Sequence, residues 1–113
     1  MTGQKVIWIA VAEVRPGEYC SMSFLDGEGG AHVVVLAKAR NKAEFTRTVI
    51  DELDEDDVEL VKLKHLRPFV EERDKPQFGE HELEGLEYVK RGGKVGFGDF
   101  YTFPEVDEEE VVH

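Results

Sequence analysis

Residues 5–14 are apolar on both sides of a period-two pattern. Val6, Trp8, Ala10, Ala12 and Val14 fall on one face, and Ile7, Ile9 and Val11 on the other. A strand with one wet face alternates apolar and polar residues, so this run predicts a central strand covered on both sides. Arg15-Pro16-Gly17-Glu18 reads as a turn, because proline presets one turn dihedral and glycine relieves the next. A return strand is expected over residues 19–25, with Cys20, Met22 and Phe24 on one face, closed by Asp26-Gly27-Glu28-Gly29-Gly30. The chain then turns into a further strand over residues 31–39, containing Val33-Val34-Val35-Leu36-Ala37.

The period changes after Asn41. Phe45, Val49 and Leu53 recur every fourth residue with Ile50 beside them, the stripe of an amphipathic helix. Asn41 is its expected cap, with Glu44 reaching back to the cap amide as in a capping box. Beyond the acidic run 51–57, residues 58–64 predict another strand. Lys62 and Lys64 mark a solvent-facing side or an edge, and His65-Leu66-Arg67-Pro68-Phe69 should end the pairing. Residues 71–79 read as a surface connection. A second helix is expected over residues 80–91, acidic early, basic late and stopped by Gly92, with Leu83, Leu86 and Val89 as its buried stripe. Gly85 lowers its propensity by about 1 kcal/mol relative to alanine, which calls for either close packing or a looser helix. Residues 94–103 predict a last strand in which Gly96 and Gly98 favour a bulge.

This order predicts an α+β fold: a two-layer, mostly antiparallel sheet with two helices packed on one face. It resembles a ferredoxin-like arrangement with an extra N-terminal hairpin. With 113 residues, one core is the expectation, giving a single domain over residues 1–104 and an acidic tail over residues 105–113. The apolar residues, 41% of the chain, are gathered in runs that can supply a core, which argues against disorder despite 35% charged residues. No run approaches the roughly 20 apolar residues of a membrane span. The first apolar stretch follows a single base, Lys5, without a cleavage pattern, so a strand explains it better than a signal peptide. The lone Cys20 supports neither an internal disulfide nor a multi-thiolate metal site, and cytoplasmic residence is the default.

The net charge of −11 is unevenly placed. Residues 1–50 hold five acids against six bases, whereas residues 51–113 hold twenty against eight, balances of +1 and −12. Such a field repels nucleic acid and anionic membranes and attracts a cationic partner.

Catalytic signatures are missing. Gly27-Glu28-Gly29-Gly30 and the glycine-rich segment 92–98 lack the Lys-Ser or Lys-Thr of a phosphate loop. The run 51–57 lacks the alternating ligands and central glycine of a calcium loop. His32, His65, His81 and His113 have no metal-helix spacing, and Cys20 sits in no motif that would activate a thiol. No catalytic, cofactor or metal residue is therefore expected. The expected function is a non-enzymatic interaction domain for a basic protein, contacted through Asp54, Asp56, Asp57, Glu80, Glu84 and Glu87, with Tyr88 and Tyr101 as anchors. In size and charge the chain resembles toxin-neutralising immunity proteins, which implies a cationic active site as the target. A competing class is a small enzyme or ligand-binding protein whose pocket is walled by His65, Glu84 or Tyr101. An open sheet edge or broad face would also admit a homodimer.

Overall fold

The computed structural model describes residues 4–25 and 27–104; the acidic tail expected over residues 105–113 lies outside them. Four strands, β1 (Val6–Pro16), β2 (Glu28–Ala39), β3 (Val58–Pro68) and β4 (Gly96–Pro104), form one sheet in the order β3-β1-β2-β4. Every neighbouring pair is antiparallel. The helices are α1 (Lys42–Asp54), the single turn α2 (Glu71–Asp74) and α3 (Glu80–Lys90), with short 3-10 turns at Ser23–Leu25 and Lys75–Gln77. The α+β class and antiparallel sheet are as the pattern predicts.

β1 and β2 are the two central strands, paired from Val6–Ala39 to Val14–Ala31 without a break. One face of this pair presents Ala10, Ala12 and Val14 beside Ala31, Val33 and Val35, and Phe45, Val49 and Leu53 of α1 pack on it. The opposite face presents Ile9 and Leu36 to Leu86 and Val89 of α3, with Ile7, Val34, Phe69 and Phe78 at the margin. The two long helices therefore cover opposite faces rather than sharing one. A strand apolar on both sides requires this arrangement, since a single helix layer would leave Ile7, Ile9 and Leu36 in water.

Residues 19–25 form a loop and 3-10 turn instead of the expected return strand. Both edges of β1 are already taken, by β2 and β3, so no ladder is left for this segment. Its apolar residues are still used: Leu25 is fully buried and Cys20 and Met22 pack against the α1-side core. β3 also runs beyond residue 64, through Pro68 opposite Trp8, by way of a bulge in which His65 takes a positive φ of 57°. Pro68 is tolerated because β3 is an edge strand and its missing N–H faces no neighbour. The expected capping box at Asn41 is also altered. Asn41 Oδ1 accepts from the Glu44 amide at 2.8 Å, but Glu44 Oε1 reaches one residue further back, to the Arg40 amide at 2.8 Å.

Gly85 answers to close packing. A Cβ on Gly96 would fall 2.2 Å from the Gly85 carbonyl oxygen, and one on Gly98 would fall 2.2 Å from Glu82 Oε2. The weak point of α3 is thus the point at which helix and strand backbones touch. The helix ends in a Schellman motif: Gly92 has φ 108°, its amide bonds Val89 O at 3.1 Å, and the Gly93 amide bonds Tyr88 O at 2.8 Å. Gly96→Ala is expected to lower stability by about 1–3 kcal/mol through overpacking, measured by urea denaturation. A wild-type midpoint would mean that helix and strand are not in contact there.

Candidate functional site

The acidic run at the end of α1 is partly occupied by the fold. Asp57 takes a positive φ of 53° just past the helix, a conformation aspartate tolerates better than most residues. Its carbonyl accepts from the Gly17 amide at 2.8 Å and its Oδ2 from the Tyr19 amide at 2.6 Å. Asp56 Oδ1 accepts from Ser21 Oγ at 2.6 Å. Two of the three acids nominated here therefore hold the connection between β1 and β2, while Asp54 remains exposed without such a partner among the described residues.

α3 presents a different surface. Its inner face is buried through Glu82, Gly85, Leu86 and Val89. Glu80, Glu84 and Glu87 are exposed on the outer side, at helical spacings of four and three. Leu83 and Tyr88 share that side and are 37% and 49% exposed. The Tyr88 ring lies across Gly93, where a Cβ would fall 2.2 Å from the ring. At the start of the helix His81 Nδ1 pairs with Asp99 Oδ1 of β4. That bond, the Asp99 charge and the nearby Glu84 and Glu80 raise the His81 pKa. Because α1 and α3 pack on opposite faces, the two acidic segments belong to different layers.

On the α3 side of the sheet, beyond the helix, lies a cleft of about 440 Å³. Its floor is Ile9, Val11 and Val34, and its walls include His65, Arg67, Phe78 and Tyr101. It thus brings together His65 and Tyr101, two of the three wall residues the sequence nominated; Glu84 is not part of it. Tyr101 is 65% exposed at the rim.

The wall of the cleft carries an ion network that the sequence did not announce. Asp74, whose side chain is only 1% exposed, accepts from Arg67 Nη2 at 2.7 Å, from Arg73 Nη2 at 2.9 Å and from the Val70 amide at 2.9 Å. The Arg73 bond foremost, then the Val70 amide and Arg67, hold its carboxyl well below the usual carboxylate range against the opposing effect of burial. Glu82, also buried, accepts from the Gly79 amide at 2.7 Å and the Asp99 amide at 2.9 Å. Glu82 stands three residues after Gly79, the spacing of a helix-start carboxylate, so a local signal existed for it. Asp74 had none, since its partners are assembled by the turn itself.

No group of side chains among the described residues has the makings of a metal site, and no helix among them is long and apolar enough to cross a membrane. Comparison with protein-family models, curated proteins and solved structures gives no match.

Asp74→Ala is expected to destabilise the protein by about 1.5–3 kcal/mol, the range for hydrogen bonds to a charged group, read by urea denaturation at pH 7. Because its folded pKa is depressed, the contribution of Asp74 is present above its ordinary value of 3.8 and is lost as pH falls below it. His81 has the opposite sign. Its raised pKa makes the pair with Asp99 stabilising below the ordinary value of 6.5, and the effect disappears as pH rises through the folded pKa. His81→Gln should remove that part of the pH dependence of the denaturation midpoint. An unchanged pH profile would show that the pair does not form in solution.

Proposed function

We propose that this protein is a small non-enzymatic interaction module that binds a basic protein partner through the outer face of α3. The observation that supports it is the composition of that face. Glu80, Glu84 and Glu87 are exposed beside Leu83 and Tyr88, and none of their side chains has a hydrogen bond or ion pair within the described residues. Acids spaced in this way repel one another by a few tenths of a kcal/mol per pair, and of the three only Glu80, in the first turn, favours the helix through its dipole. A cationic partner would relieve the repulsion, while the leucine and tyrosine would supply the apolar area that carboxylates lack.

The helix is suited to presenting such a surface. Its inner face is held to β4 by backbone contact at Gly85 and Gly96, so docking would order little that is not already ordered. The end of α1 is a weaker candidate, because Asp56 and Asp57 are already engaged with the 17–21 loop. One form of partner is a toxin whose cationic active site the ridge would cover, as in immunity proteins.

The triple variant Glu80→Gln/Glu84→Gln/Glu87→Gln keeps helix propensity and removes the charge. In calorimetric titration with a lysine- and arginine-rich peptide it is expected to bind at least about tenfold more weakly and to lose most of the salt dependence. Asp54→Asn should leave both nearly unchanged. Equal affinity of the triple variant and the wild type would rule out α3 as the contact.

A further inference from the structure

The cleft on the α3 side of the sheet is chemically separate from the acidic ridge. Its volume, about 440 Å³, lies within the usual range for small-molecule sites of roughly 300–1,000 Å³. It exists because α3 packs over β2 and β4 while the turn bearing Phe69 and Phe78 covers the far end of β1. Between them Val11 and Val34 are left half-covered as an apolar floor.

The polar groups around this floor are unequal in what they still offer. Both wall carboxylates are spent: Asp74 on Arg67, Arg73 and the Val70 amide, Glu82 on the Gly79 and Asp99 amides. Arg67 has used only part of its fork, with Nη1 on the His65 carbonyl at 3.0 Å and Nη2 on Asp74 at 2.7 Å. A guanidinium has five N–H donors, so some remain for a ligand. The Tyr101 hydroxyl and the His65 ring have no hydrogen-bond partner among the described residues. The two wall carboxylates are thus engaged, while Arg67 keeps unused N–H donors. Arg67 is the cation of the lining, and its partner Asp74 is shared with Arg73, which lies outside the cleft, so Arg67 has no carboxylate to itself. Lys64 and Lys62 continue the same edge strand opposite Val11 and Glu13. Lys64 in turn lies 3.9 Å from Glu13 Oε1, which leaves Arg67 as the cation of the cleft.

We infer that the cleft binds a small monocarboxylate with a flat apolar body, the carboxylate held by the free N–H groups of Arg67 and the Tyr101 hydroxyl, and the body laid on Val11 and Val34. Arginine suits this because its planar fork matches a carboxylate in a way that a lysine does not. The proposal is independent of the acidic ridge, whose outer residues take no part in it.

The test is amide NMR titration of the intact protein with benzoate, with benzylamine as the cationic control of the same shape. Benzoate is expected to give saturable shifts at Ile9, Val11, Val34 and Tyr101 with a Kd of about 1 mM, ordinary for so small a probe. Benzylamine should bind at least about tenfold more weakly. Val34→Trp, which fills the floor, should abolish binding. Tyr101→Phe, at an exposed position that leaves the core untouched, should weaken it about threefold or more and decides the matter if the tryptophan variant does not fold. Shifts that fail to saturate, saturation away from the cleft, equal binding of benzylamine, or full affinity in Tyr101→Phe would each overturn the proposal.

Discussion

Everything in this molecule follows from the need to bury both faces of the β1–β2 pair. Ile9 and Leu36 on one side, and Ala10, Ala12, Val33 and Val35 on the other, are all almost completely removed from water. Each fully buried branched side chain contributes on the order of 1.5–3 kcal/mol relative to exposure, so neither face can be left open without losing much of a small domain's stability. Two helices on opposite sides are the economical answer. The price is that β2 must feed α1 to one face while the β3–β4 connection carries α3 to the other.

That second placement depends on glycine. α3 reaches its sheet through Gly85 against Gly96, and its buried Glu82 sits over Gly98. Large side chains at these positions would hold the helix away, and the Glu82 bonds to the Gly79 and Asp99 amides would be lost with it. The three glycines do not serve flexibility. They set an interlayer distance, and the carboxylate fills the remaining space while accepting from the Gly79 and Asp99 amides.

Much of this was legible along the chain wherever the cause was local. The doubly apolar run 6–12 announced a central strand, the Phe45-Val49-Leu53 stripe announced α1, Gly92 announced the end of α3, and Lys62 and Lys64 announced an edge. Misreadings arose where the deciding fact was a neighbour distant in sequence. Cys20, Met22 and Phe24 alternate as a strand would, yet both edges of β1 were already filled. Pro68 argues against pairing only where its N–H would face another strand, and in β3 it does not. The proposed site was legible to a lesser degree. The acids of α3 and the tyrosine beside them could be nominated from spacing, and so could His65 and Tyr101 as pocket walls. Asp74, Arg67 and Arg73 could not, because their meeting is made by the turn between β3 and α3, and nothing in Glu72-Arg73-Asp74-Lys75 distinguishes a buried carboxylate from a solvated one.

The acidity of the chain separates into two populations once the fold is known. Asp56, Asp57, Asp74, Glu44 and Glu82 each accept from a backbone amide, a hydroxyl or a guanidinium, and they cluster where helices start, stop or turn. Orphan amides at such places need an acceptor, and a carboxylate is a strong one. These acids are therefore part of the scaffold and say nothing about a partner. Glu80, Glu84 and Glu87 accept no such bond among the described residues; they stand on a helix already fastened by its other face, and Glu84 and Glu80 raise the His81 pKa together with Asp99. Net charge alone would count both populations equally. Only the second is a surface whose energy improves when a cation arrives, which is why the recognition proposed for this protein rests on α3 and not on the denser acidic run at the end of α1.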